Sequence, residues 1–276
     1  MTIPPAEAVN PTGNSSTHAQ VLSPATHLEF VAIEVAVLAA EFVRTQHGSA
    51  RAAGTKSTPT DVVTETDLAS ETLIRNEIAA RCPGSTVIGE EYDDTIGANT
   101  ISWIVDPIDG TVNFLYGLPV VSISVAARIG GETVAGAVTD LLSGNTFSAT
   151  ASGGARLNGA PLQTSQPASL ATSLIGTGFA YQANVRSEQA ETLTRLLPAC
   201  RDIRCMGSAA LNLCWVGAGL LDGYFERDIK LYDYAAGELI AREAGAVVRL
   251  PAESGNGLAF AASAAIAGEL FELVNS

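Results

Sequence analysis

Histidine is scarce in this chain. His18, His27 and His47 are the three present, and all lie in the first fifth of the 276 residues. The rest of the chain therefore holds no Ser-His-Asp triad, no histidine acid/base pair and no histidine-rich zinc site. Lysine is scarcer still. Only Lys56 and Lys230 occur and neither follows a glycine, so there is no P-loop. Positive charge is short overall: 15 basic residues face 29 acidic ones, a formal net of −14. That balance argues against a nucleic-acid partner and against an anionic membrane surface. The four cysteines (Cys82, Cys200, Cys205, Cys214) form no CxxC pair, and none has an arginine six positions later. A CxxC metal site and a cysteine-phosphatase loop are thereby excluded. No GxSxG elbow and no GxGxxG loop occur. Long hydrophobic runs are missing too, since the stretch 31–43 contains Glu34 and Glu41 and the stretch 213–221 is too short for a bilayer. Residues 1–27 have neither a basic start nor an apolar segment, so no secretory signal is read. Reduced thiols and a cytoplasmic location are the expectation.

What is present is core material: 47% of residues are apolar and only 16% charged, enough for one large or two modest domains. Residues 1–25, rich in Pro, Ser, Thr and Asn, read as a disordered tail. The remainder, 26–276, reads as an α+β lobe to about 165 and an α/β lobe beyond it. Helical spacing predicts a helix from Thr26 to about Gln46, followed by a Gly/Ser/Arg loop over 48–60. Thr66 or Asp67 is expected to cap a second helix that stops at Gly84. Strands are expected at 86–89, 101–105, 121–129, 133–139 and 146–150, with Asp106-Pro107 ending the second of these. Beyond 170, strands at 174–177, 203–205, 223–226 and 247–250 alternate with helices at 185–197, 208–220, 233–244 and 264–274.

With histidine and cysteine chemistry excluded, carboxylates remain. The sequence Ile101-Ser-Trp-Ile-Val-Asp106-Pro-Ile-Asp109-Gly-Thr-Val-Asn-Phe114 carries two of them three positions apart. Pro107 and Gly110 are expected to fold the backbone so that both point at one spot. Gly110 and Thr111 would then offer backbone N–H groups to a phosphate. Glu90 and Glu91 end the strand at 86–89, and Asp233 opens a helix of small residues. Lys56-Ser-Thr-Pro-Thr-Asp61 leads to Asp67. Four carboxylates at one site are hard to keep ionised without cations, and Mg²⁺ favours oxygen ligands shared with a phosphate. Such ions would also let an acidic protein hold an anionic ester. Trp103 and Trp215 read as packing residues.

In order and spacing these segments resemble the inositol monophosphatase family over roughly residues 28–275. The motifs are KxxPxDxVTxTD from Lys56, GEE from Gly89, WIxDPIDGTxNF from Trp103, GxxxxNxCxxxxGxxDGYxE from Gly207 and DxAAGxLIxxEAG from Asp233. The resemblance implies an α/β (α+β) fold, a layered α-β-α-β-α sandwich of the sugar phosphatase type. It also implies a homodimer, lithium sensitivity and two to three Mg²⁺ per active site. Glu90, Asp106 and the Ile108 carbonyl would ligate one ion, Asp106, Asp109 and Asp233 a second, and Glu90 a weaker third. Asp67 and Thr111 would polarise the attacking water with help from Glu90, and the Gly110 and Thr111 backbone would bind phosphate. Gly207, Ser208, Ala209 and Glu226 would touch the alcohol, with Lys56 and Asp61 close by. The implied activity is hydrolysis of myo-inositol 1-phosphate or a similar polyol or sugar phosphate by in-line attack of a metal-activated water. Histidinol-phosphatase, fructose-1,6-bisphosphatase and 3′-nucleotide phosphatase activities share the same core, and a non-catalytic regulatory role is the reading from a different class. The chain departs from the family's usual residues at Tyr232, Tyr234 and Ala246, which bear on the pocket beside Asp233.

Overall fold

The computed structural model describes residues 23–48, 51–251 and 257–275. In chain order the elements are α1 (Pro24–Arg44), β1 (Ala52–Thr55), β2 (Val62–Thr64), α2 (Glu65–Arg81), β3 (Thr86–Gly89), β4 (Ile101–Asp109) and α3 (Thr111–Tyr116). Then come β5 (Ser122–Ile129), β6 (Glu132–Asp140), β7 (Thr146–Thr150), β8 (Gly154–Leu157) and β9 (Ala160–Pro161). The second half holds β10 (Leu174–Thr177), α4 (Ala183–Leu196), β11 (Asp202–Cys205), α5 (Ala209–Gly217), β12 (Gly223–Arg227) and α6 (Leu231–Glu243). It closes with β13 (Val247–Arg249), β14 (Leu258–Ala262) and α7 (Ala267–Asn275).

The fold is a five-layer α-β-α-β-α sandwich. A seven-stranded sheet runs β3-β4-β5-β6-β7-β8-β9, with β3 and β4 parallel and the other neighbours antiparallel. A five-stranded sheet runs β11-β10-β12-β14-β13. Its first three strands are parallel, and β14 lies antiparallel to both β12 and β13. Helices α1 and α2 cover the outer face of the first sheet, α5 and α6 fill the space between the sheets, and α7 with α4 covers the far side of the second. Helix α1 presents Leu28, Val31, Ala32, Val35, Ala36, Ala39, Ala40 and Val43 to the sheet, a stripe at helical spacing whose alanines allow close approach. Trp103 lies wholly inside that outer core, and Trp215, on α5, packs against the two inner clusters that α5 and α6 form with the sheets. All four cysteines are unpaired. Among the described residues no helix is long and apolar enough to cross a membrane.

Several boundaries differ from the sequence reading. Helix α1 starts at Pro24, capped by the Ser23 hydroxyl, so Pro24 and Ala25 are helical; residues 1–22 of the expected tail lie outside the described residues. Thr64, not Thr66 or Asp67, caps α2, and Asp67 is the third helical residue, reaching back to the cap. Asp106-Pro107 does not end β4, which continues to Asp109 through an irregularity against β5. Asp233 likewise stands third in α6 rather than at its start. The last helix begins at Ala267 rather than at 264. Strands β1, β2, β8, β9 and β14 escaped the sequence reading. Strand β1 is exposed along its whole length and has no apolar face to reveal it. Strand β14 is buried on both faces, so its run Leu-Ala-Phe-Ala-Ala shows no alternation.

Candidate active site

The site is built on the irregularity in β4. In a regular strand, residues three apart face opposite sides. Here Asp106 pairs with Ser124 and Asp109 with Ser122, so three steps along β4 match two along β5. This one-residue bulge turns Asp109 to the face of Asp106. Helix α6 brings Asp233 to the same place, and the three carboxylates lie within 4.8 Å of one another. Gly110 follows with φ +98°, a backbone that side chains resist. A Cβ there would meet the Val120 and Gly207 carbonyl oxygens at 2.9 and 3.0 Å. The turn it makes starts α3 directly beside the carboxylates.

The three carboxylates are held differently. Asp109 accepts from the Ser208 and Ser122 hydroxyls and from the N–H groups of Ala209 (3.1 Å) and Ala210 (2.8 Å) at the start of α5. Asp106, 1% exposed, accepts only the Ile108 N–H at 3.0 Å among the described donors. Asp233 accepts the Lys230 N–H. Burial first, then repulsion from Glu90 and Asp109, pushes Asp106 and Asp233 above the usual carboxylate range. Burial raises Asp109 as well, opposed by its four donors.

The β1–β2 hairpin delivers the cation. Asp61 Oδ2 accepts the Ser57 N–H at 3.1 Å and the Ser57 hydroxyl at 2.7 Å, and the Lys56 N–H bonds the Asp61 carbonyl. The turn so fixed places Lys56 Nζ 2.7 Å from Glu90 Oε1 and 2.6 Å from Glu91 Oε1. Asp61 thus shapes the hairpin and does not join the carboxylate cluster. Burial pushes Glu91 up to about 7 despite Lys56, and it raises Glu90 too. The ammonium of Lys56 is held above its ordinary value, because attraction to Glu90 and Glu91 outweighs its own burial.

Asp67 is fully buried. Its Oδ2 accepts the Thr64 N–H at 2.9 Å and the Thr64 hydroxyl, and its Oδ1 lies 3.0 Å from the Thr111 hydroxyl. The same hydroxyl is 3.1 Å from the Ile108 carbonyl oxygen. The structure therefore joins Asp67, Ile108 and Thr111 in one chain of contacts at the foot of the cluster. Ser208 and Ala209, expected beside a substrate alcohol, have their hydroxyl and N–H on Asp109. Gly207, with φ +82°, sits against Gly110, and its carbonyl neighbour Met206 accepts from the Asn113 side chain at 2.7 Å. Glu226, next to last in β12, accepts the Tyr224 hydroxyl on its carboxyl.

Three contributors were not singled out from sequence. Ser122 is one, and its position directly opposite Asp109 in the ladder is a signal only once the bulge is known. Tyr224 is another, two residues before Glu226 and so on its face of the strand. The third is Tyr181, 43% exposed, in the loop after β10. Burial, then the charges of Asp61, Glu90, Asp233 and Asp109, raises its phenol. Of the two tyrosines that depart from the family pattern, Tyr232 feels Glu90, Asp233 and Asp106, whereas Tyr234 is buried in the core against the second sheet.

An oxygen-only carboxylate centre set between two sheets of a layered α/β sandwich places this chain among the phosphatases. It belongs to the inositol monophosphatase family, whose model matches residues 24–275. It is 44% identical over 266 residues to the inositol-1-monophosphatase of Mycobacterium leprae, covering 88% of this chain and 91% of that one. It is 40% identical over 190 residues to the Nus factor SuhB of Escherichia coli, covering 68% of this chain and 71% of that one. Among solved structures, Mycobacterium tuberculosis SuhB matches with a TM-score of 0.78 at 40% identity, over 91% of this chain and 96% of that one. The Thermotoga maritima IMPase matches with a TM-score of 0.82 at 31% identity, over 91% and 97%. The chain is accordingly a phosphoric monoester hydrolase by family.

Proposed function

We propose that this phosphatase hydrolyses myo-inositol 1-phosphate, or a similar polyol or sugar phosphate, to the free polyol and inorganic phosphate with the help of Mg²⁺. The observation that carries the reading is the closeness of Asp106, Asp109 and Asp233, with Asp106 buried on a single backbone donor. Two unit charges about 4 Å apart repel by about 4 kcal/mol at an effective dielectric near 20. Lys56 is bonded to Glu90 and Glu91 rather than to these three. The donors are all hard oxygens, the set that Mg²⁺ takes. Asp106, Asp109, Asp233, Glu90 and the Ile108 carbonyl are the residues that would hold two to three ions. Bound there, the ions supply charge neutralisation and Lewis-acid assistance to hydrolysis.

The chain's own groups do the rest. The Asp67–Thr111 pair orients the attacking water, because Thr64 locks the Asp67 carboxyl and leaves Oδ1 to the Thr111 hydroxyl. The Gly110 and Thr111 backbone receives the phosphate. Glu226 faces the alcohol beside Gly207, Ser208 and Ala209, which border that side through their shape. The working unit begins at α1 and consists of two lobes divided near residue 165. We further infer a cytoplasmic homodimer sensitive to lithium. Histidinol phosphate, fructose 1,6-bisphosphate and 3′-nucleotides would fit the same carboxylates. A regulatory binding role is the second reading, favoured by the similarity to a protein named Nus factor SuhB.

The test is phosphate release from the purified protein with each ester, in Mg²⁺, in EDTA and with added Li⁺. Mg²⁺-dependent preference for inositol phosphate supports the proposal. Preference for another ester moves the substrate and keeps the chemistry. No release from any ester in Mg²⁺ overturns it in favour of the binding role.

A further inference from the structure

Glu226 is walled in on three sides. Strand β10 runs parallel to β12 with Thr177 beside Phe225, which brings Gly178 next to Glu226. A Cβ on Gly178 would lie 2.0 Å from Glu226 Oε2 and 2.2 Å from Oε1, so only glycine leaves room for the carboxyl. On the other side β14 pairs Ala259 with Glu226, again a small residue. Beneath it, two residues back on the same face, lies Tyr224. That side chain is fully buried among Leu213, Tyr234 and Ala261, and its hydroxyl donates to Glu226 Oε2 at 2.5 Å. Among the described residues no other donor bonds this carboxyl, and no lysine or arginine is paired with it. Among these same residues the second oxygen, Oε1, has no donor.

We propose that Tyr224 is a positioning residue that aims Glu226 and keeps it an acceptor, so that the enzyme selects phosphate esters whose alcohol carries a further hydroxyl. This rests on the reading of Glu226 as the group that faces the alcohol. The phenol has nowhere else to point: its ring is locked in the core, and its proton fixes one carboxylate oxygen. The remaining oxygen is left to accept from a substrate hydroxyl. An ester without a second donor would bury that oxygen unsatisfied, which disfavours it. Burial pushes the Glu226 carboxyl up to about 7, the Tyr224 bond opposes this, and Asp109 from β4 adds to it. Asp233 from α6 and Cys205 from β11 also feel its charge, and all of these neighbours are acidic or neutral. Loss of the phenol therefore moves the carboxyl further up and favours its protonated, donating form.

The test compares myo-inositol 1-phosphate with p-nitrophenyl phosphate, which lacks further hydroxyls, in wild type, Tyr224→Phe, Glu226→Gln and the double variant. Folding of each is checked by circular dichroism. The readout is the ratio of the two KM values across pH. Tyr224→Phe is expected to raise that ratio about tenfold near neutrality, the lower end of a hydrogen bond to a charged group. The pH at which the ratio changes should move upward, and the double variant should match Glu226→Gln alone. If Glu226→Gln changes the ratio and Tyr224→Phe does not, or if Tyr224→Phe slows both esters alike, Tyr224 merely packs and the proposal fails while Glu226 keeps its role. If Glu226→Gln leaves the ratio unchanged, the assignment of Glu226 itself fails and takes the proposal with it.

Discussion

Asp106 and Asp109 stand three positions apart on one strand yet face the same way. Their chemistry follows from that neighbourhood more than from their identity. Asp109 has four protein donors, whereas Asp106 has one, so Asp106 depends most on an added cation. Asp106→Asn removes a ligand and a charge with little change of shape. It should lower kcat/KM in Mg²⁺ at least about a thousandfold, equivalent to several kcal/mol of electrostatic assistance, with an unchanged circular dichroism spectrum. Near-normal turnover would sink the metal assignment. Thr111→Ala deletes the hydroxyl on Asp67 Oδ1. Its effect should fall on kcat by about a hundredfold, the scale of a positioned proton-handling group, with KM little changed. Steady-state kinetics separates the two parameters.

At the scale of elements, the site is an assembly of element ends. The bulge at the end of β4 contributes two carboxylates, the first turns of α2 and α6 one each, and the start of α5 the donors that hold Asp109. Thr64 links stability to chemistry, since it caps α2 and clamps Asp67 at once. Thr64→Ala should cost about 1–2 kcal/mol in a denaturant titration and also depress kcat; a stability loss with intact kcat would show that Asp67 needs no clamp. Helix α1 sits on its sheet through alanines. Ala36 is wholly buried, so Ala36→Leu should destabilise by about 1–3 kcal/mol through overpacking, with kinetic constants preserved because α1 lies on the face away from the site.

For the whole molecule, the excess of buried acid makes stability fall as pH rises. Glu226 and Glu238 are each pushed up to about 7 from 4.5, burial being the first cause in both. Glu238 forms an ion pair with Arg242, Oε2 lying 3.0 Å from the guanidinium without a hydrogen bond of good geometry, in the space between the sheets and away from the cluster. A carboxyl raised on folding binds its proton more tightly in the native state. Its cost is absent below about 4.5, grows through the interval and is complete above about 7. The EDTA-treated protein should therefore melt at higher temperature as pH is lowered from 7 toward 5. Mg²⁺ should raise the midpoint more at the alkaline end, where the cluster is most charged. Glu238→Gln should flatten the slope in EDTA and leave the Mg²⁺ increment alone. A flat profile for the EDTA-treated wild type would contradict the burial of these acids.

The sequence by itself determined the chemistry: with so few histidines and lysines, and carboxylates placed beside Asp-Pro, Asp-Gly and Glu-Glu turns, acid oxygen was the only reactive material at hand. It also determined the longer elements, because α1 and the hairpin of β5 and β6 carry strong local periodicities. Pro107 and Gly110 signalled that Asp106 and Asp109 would meet at one spot, but that they do so through a bulge inside β4 and not a turn after it was decided by the tertiary structure, since a bulge is a mismatch between two strands. The same holds for Ser208 and Ala209, whose polar groups are taken by Asp109 rather than left free, and for Tyr224, which looks like an ordinary core residue until its ring is locked beneath Glu226. Strand β14 was hidden because a strand covered on both faces has no polar side to alternate with. Local patterns specify which groups exist and roughly where the backbone turns; which of those groups meet depends on registers and layers set by distant parts of the chain.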